Sequence, residues 1–206
     1  MPAFTDVHLL SDKMRIAARP EKLEKFSEEH AGFYMKYASF VFGTLRKASF
    51  QRFLGWMLRK ENIEEQMVTD VQVRVLPFKR KNGNGLAGNC NADRGKIQIY
   101  PRTRKFCRKL IQEFGKGGFI SYVKSRARAA LIHELLHLKY ASNEPKVREL
   151  TKGYFAIFTR NQRAHNSQVA SVYGMIFKPR IVENVPACRV NASAVLGSQV
   201  SSGNMG

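Results

Sequence analysis

The segment ALIHELLHLKY, Ala130 to Tyr140, carries two histidines four residues apart, with a glutamate directly after the first, inside a leucine-rich run. In a helix each residue turns by about 100°, so His133 and His137 stand one turn apart and only about 40° from each other around the axis. Leu131, Leu135 and Leu138 fall on the opposite side. The helix therefore needs a core against its leucine face and a cleft against its imidazole face. Two stacked imidazoles can grip one metal ion. Glu134 lies about 80° from the mean histidine direction, too far round to join them as a ligand but near enough to reach a water held on that ion. This is the pattern HExxH, in which the histidines are expected to bind Zn2+ and the glutamate to act as general base.

The flanking sequence predicts an α+β chain. Apolar residues recur at helical spacing from Glu21 to about Lys60, including Phe26, Phe33, Tyr37, Phe40, Phe53 and Met57, which reads as two amphipathic helices broken near Gly43 to Ser49, with the aromatics in the core. From Val71 to Val75 the period changes to two, a strand, and KIQIY, Lys96 to Tyr100, is a second strand that pairs with it. Between them KRKNGNGLAGNCNADRG, dense in Asn and Gly, reads as a long surface loop. Helical periodicity resumes after Pro101, breaks at Gly115 to Gly118 and restarts at Phe119 to run through the motif. Asn143, suited to a left-handed turn, and Pro145, suited to a first helical turn, then mark a stop and a restart. The chain thus makes a helical hairpin whose second arm runs to about Phe158. The expected organisation is an N-terminal helical segment over 1–65, a catalytic domain over 66–185 and a Ser/Gly-rich tail over 186–206.

A catalytic zinc needs a third protein ligand. Glu144, seven residues after His137 at the start of the second arm, is favoured; Glu149, one turn further, comes level with His137 if the hairpin is antiparallel, and is the alternative. His165 is more distant. Tyr140, Tyr154 and Arg148 are candidates to stabilise an oxyanion.

The charge balance is unusual. Thirty-five Lys plus Arg against sixteen Asp plus Glu give a net charge of +19, which favours polyanionic partners. From Arg102 to Arg128 there are nine basic residues and one acidic one, Glu113, a stretch that offers a contact for nucleic acid or for acidic substrates and is otherwise a solvated face. Three widely spaced cysteines, Cys90, Cys107 and Cys188, suggest neither a disulfide framework nor a Cys-based zinc site and point to a reducing, intracellular, cytoplasmic setting. The most hydrophobic early stretch is interrupted by Lys36, Arg46, Lys47 and Arg52, which argues against a membrane span.

The sixty residues from Lys96 to Phe155, a strand ending IQIYP, a helix, LIHELLHLKY and a second helix, resemble a small zincin metallopeptidase. They are similar to the minimal gluzincins and to the SprT-type and YgjP-type peptidases. The Asn143-Glu144 pair resembles the way a ligand glutamate is presented in other zincins. The resemblance implies a zincin-like fold, with a small antiparallel sheet packed on the HExxH helix and the helix after it. It also implies zinc on His133 and His137, Glu134 as general base, and Lys96 to Tyr100 as the edge strand lining a cleft for a protein or peptide substrate.

Overall fold

The structure, a computed structural model, describes residues 15–19, 25–64, 67–68, 70–78 and 85–163. His165 and the 186–206 tail lie outside them. Four helices and a four-stranded sheet follow in the order β1 (Arg15–Arg19), α1 (Glu28–Leu45), α2 (Ala48–Lys60), β2 (Asp70–Arg74), β3 (Gly88–Asn91), β4 (Lys96–Ile99), α3 (Arg104–Tyr140) and α4 (Glu144–Arg163). The chain is α+β, as its periodicities imply. No helix among the described residues is long and apolar enough to cross a membrane.

Local chemistry sets the helix ends. Ser27 caps α1 by accepting from the His30 N–H at 3.4 Å, with Glu28 and Glu29 in the first turn, where the helix dipole favours negative charge. Thr103 caps α3 by accepting from the Phe106 N–H at 3.4 Å. The break expected over Gly115 to Gly118 is confined to Gly115, at φ 68 and ψ 178, a conformation that is essentially glycine-only.

The sheet order is β1-β2-β4-β3. β2 and β4 pair as expected, with Val71 opposite Ile97 and Val73 opposite Ile99, and all four side chains are buried. They run parallel, however, and β1 is also parallel to β2, so the sheet is mixed and not antiparallel. The reason lies in the route between them. Parallel strands need a long crossover, and the stretch read as a surface loop supplies one. That stretch also contains β3, which returns antiparallel to β4 through a 3-10 turn, Ala92–Arg94, closed by Gly95 at φ 56. GNCN has none of the β-branched or aromatic residues that announce a strand. β4 is interior, and the edge facing the motif helix is β3.

α3 packs on α4, α1, β3 and β4. Leu131, Ile132, Leu135 and Leu136 are fully buried, whereas Leu138 is only partly so. Of the N-terminal aromatics, Tyr37 and Phe53 are buried, Phe33 and Phe40 partly so, and Phe26 is exposed. One apolar cluster joins these residues to Val147, Tyr154, Phe155 and Phe158 of α4, so α1 and α2 share their core with the motif helix.

Candidate metal centre

The last turns of α3 and the first turn of α4 bring His133, His137 and Glu144 together, with one ligand atom from each lying within 4.8 Å of the others. His133 Nε2 is 3.2 Å from His137 Nε2, and Glu144 Oε2 lies 3.3 Å from His137 Nε2 and 3.6 Å from His133 Nε2. Ligands about 2.0–2.1 Å from a tetrahedral zinc stand about 3.3–3.4 Å apart, so the spacing suits such an ion. Glu149 is exposed on α4 and is not in this group.

Each of these side chains is oriented by a neighbour. His137 Nδ1 is 2.5 Å from the Ala141 carbonyl, which can only accept, so Nδ1 carries the proton and Nε2 presents its lone pair. Thr151 Oγ1 donates to the Val147 carbonyl at 2.7 Å and is therefore free to accept from His133 Nδ1, 3.3 Å away. That fixes the same tautomer for His133. Arg148 Nε donates to Glu144 Oε1 at 2.6 Å and leaves Oε2, a buried atom with no hydrogen-bonding partner, aimed at the imidazoles. Partners of this kind set the tautomer and basicity of metal ligands.

Three acceptors thus face one another, an arrangement that favours a positive charge between them. The electrostatics say the same. Burial disfavours the charged form of His137, but that form can donate to both Glu144 and the Ala141 carbonyl, which outweighs burial and pushes the imidazole up to about 8. Burial alone would raise the Glu144 carboxyl, but the two imidazoles and Arg148 hold it well below the usual carboxylate range. Two imidazoles and a carboxylate are a donor set suited to zinc, so the residues fit that ion.

The residue with positive φ at the hairpin turn is Ala141, at φ 43 and ψ −114, and not Asn143. Its carbonyl is the one that accepts from His137 Nδ1–H, while Asn143 accepts from the Lys146 N–H at 3.2 Å and caps α4. Non-glycine residues held in such a region cost about 1–3 kcal/mol and cluster at functional sites.

Glu134, 7% exposed, is outside the trio and lies against the sheet edge. A Cβ added at Gly88 of β3 would come within 2.6 Å of Glu134 Oε1, so the strand backbone sits directly on this carboxylate. Tyr140 and Tyr154 are turned away from the oxyanion role, since both hydroxyls donate to Glu61, and Arg148 is held by Glu144. Thr151, the Ala141 carbonyl and Gly88 belong to no motif of the sequence. Only Thr151 left a trace, standing seven residues after Glu144 and so on the same helical face.

The basic stretch divides at Gly115. Beyond the break its cations are used internally: Arg126 donates to the Tyr100 carbonyl at 2.6 Å and the Leu86 carbonyl at 3.1 Å, Lys124 lies over Phe40, and Arg128 lies over Phe158 and Phe50. Burial pulls the Arg128 guanidinium down to about 10. Before the break and beside it, Lys105, Arg108, Lys109 and Lys116 are exposed, and Arg108 also lies 3.3 Å from Glu29.

Comparison with protein-family models, curated proteins and solved structures gives no match.

Proposed function

We propose that the protein is a zinc-dependent metallopeptidase of the zincin type, hydrolysing peptide bonds in extended chain. The observation that carries this reading is the convergence of three lone-pair acceptors, His133 Nε2, His137 Nε2 and Glu144 Oε2, at tetrahedral spacing beside a separate carboxylate. Zinc with three protein ligands keeps an open position and lowers the pKa of water there to about 7. Glu134 then serves as general base: it takes a proton from the attacking water and passes it to the departing amine. The substrate approaches along β3, the edge next to Glu134, where an extended peptide adds to the sheet through main-chain hydrogen bonds.

The test uses zinc-loaded protein and casein, an unfolded substrate. Wild type should cleave it, and Glu134→Gln should retain zinc and fold while losing activity by about 10²- to 10⁴-fold. Equal rates in the two proteins, or no cleavage by either, would remove hydrolysis at this site.

A second reading makes the chain a nucleic-acid-binding or regulatory protein whose metal is structural or lost. It is favoured by the four exposed cations, Lys105, Arg108, Lys109 and Lys116, along the first part of α3 and at its break. Four phosphates neutralised together would give a slope near −3.6 in log affinity against log salt on duplex DNA. Such binding with no hydrolysis after zinc loading would favour this reading over the first.

A further inference from the structure

α2 delivers a buried carboxylate to the hairpin that carries the metal centre. Glu61, the residue after α2, is 8% exposed, and both of its carboxylate oxygens accept from tyrosine hydroxyls, Oε2 from Tyr140 at 2.6 Å and Oε1 from Tyr154. Lys139 donates to the Glu61 backbone carbonyl at 2.5 Å and places its ammonium 3.6 Å from Oε2. Lys60 lies over the rings of Trp56 and Tyr154 and closes the same corner. Burial alone would raise the Glu61 carboxyl, but the two hydroxyls and Lys139 outweigh it and lower its pKa, so the group is an ionised acceptor.

This cluster joins both arms of the hairpin through one side chain. Tyr140 lies on α3 three residues after His137, and Tyr154 lies on α4 three residues after Thr151, the acceptor for His133 Nδ1. Each arm is therefore tied to Glu61 within one turn of a group that holds or orients the metal. A buried carboxylate left without its donors is costly, so the two hydroxyls are kept on Glu61 together and the arms keep one spacing. The chemistry assigned to the site uses none of these groups.

We propose that Glu61 is a positioning residue for the metal centre: by holding α3 and α4 at a fixed separation it preorganises His133, His137 and Glu144. The inference rests on the zinc reading above. It also gives α1 and α2 a part in the site, since the side chain that joins the arms belongs to the N-terminal half.

The experiment measures zinc affinity of the full chain by competition with a chromophoric chelator, starting from metal-free protein, at a temperature where the circular dichroism of every variant matches wild type. Glu61→Gln replaces the ionised acceptor by a neutral amide with a single acceptor oxygen, so the pair of charge-assisted bonds from the two tyrosines and the charge opposite Lys139 are lost. Leu54→Ala, at a fully buried α2 position outside the cluster, controls for loss of packing. Glu61→Gln should weaken zinc binding about tenfold, the low end for groups that orient ligands, while Leu54→Ala stays within about twofold. Unchanged affinity in Glu61→Gln, or an equal loss in Leu54→Ala, overturns the proposal. If Glu61→Gln does not fold, Tyr154→Phe removes one hydroxyl and keeps the ring, and the same two outcomes apply. Wild type that takes up no zinc sinks the metal reading and this inference with it, and that result is visible before any variant is made.

Discussion

The helical hairpin and the sheet edge meet at one site but hold their polar groups by different means. On the hairpin every ligand atom is aimed by a hydrogen bond: His133 by Thr151, His137 by the Ala141 carbonyl, Glu144 by Arg148. At the sheet edge the strand backbone fits against Glu134 because Gly88 has no side chain. Directional bonds on the hairpin tune the charge and basicity of its three side chains, and the close seat under Gly88 sets where the Glu134 carboxylate can lie. Changes on the hairpin should therefore alter zinc affinity, and changes on the strand should alter hydrolysis alone.

The largest expected effect is on the hairpin. Glu144→Ala removes the proposed third ligand and leaves two imidazoles, so zinc affinity should fall by more than the roughly 10- to 100-fold typical of an outer hydrogen-bonding partner. Glu149→Ala removes an exposed side chain outside the group and should stay within about twofold, the usual range for a surface change. Chelator competition on both variants checks this, and the opposite ranking would make Glu149 the third ligand.

Gly88→Ala is the corresponding change on the strand. The new methyl would lie 2.6 Å from Oε1, 2.7 Å from Cγ and 2.9 Å from Cδ of Glu134, so the carboxylate has to move. A displacement on the order of 1 Å at a proton-transferring group costs roughly 100-fold in rate. The loss should appear in kcat, with zinc affinity within about twofold of wild type. A parallel loss of zinc would mean that the strand also supports the ligands, and the division between the two walls would fail.

Thr151→Val sharpens the comparison from the hairpin side, because it keeps the shape and deletes the acceptor for His133 Nδ1. Zinc should bind about 10- to 100-fold more weakly, and Thr151→Ser, which restores the hydroxyl, should recover most of it. A valine variant that binds zinc like wild type would show that packing alone orients His133.

The two walls also differ in how far they could be read from sequence. His133 and His137 were legible as a pair because helical geometry turns a spacing of four into a shared face, and the same geometry sets Glu134 off that face. Glu144 was legible as a candidate because the helix restarts there, although choosing it over Glu149 needed the hairpin geometry. Gly88 was not legible at all, since its role depends on a strand and a helix distant in sequence. Strand direction was hidden for a similar reason. Val71, Val73, Ile97 and Ile99 announce two strands with a common buried face, but the route of the intervening chain decides whether they run parallel. The strain at Ala141 was equally hidden, because Asn143 is the better left-handed residue by type and the carbonyl partner of His137 decides otherwise.

The smallest effect concerns protons, and it separates the walls once more because the groups involved belong to the hairpin. In metal-free protein His137 is raised from 6.5 to about 8, so its contribution to stability is complete below pH 6.5 and is lost as pH rises through about 8. Glu144 is depressed, so its contribution is present above the ordinary carboxylate range and is lost as pH falls below it. Together they place the stability maximum of the metal-free protein between these limits. The His137 shift is an effect on the order of 1 kcal/mol, which corresponds to a fall of roughly 2–4 °C in melting temperature from pH 6 to pH 9. Zinc takes the place of that proton, so the stabilisation it confers should grow over the same interval. Thermal melts at both pH values, with and without zinc, read the two trends side by side. A zinc-induced shift that shrinks as pH rises would show that the metal does not compete with the proton on His137, and the convergence of three acceptors would need a different explanation.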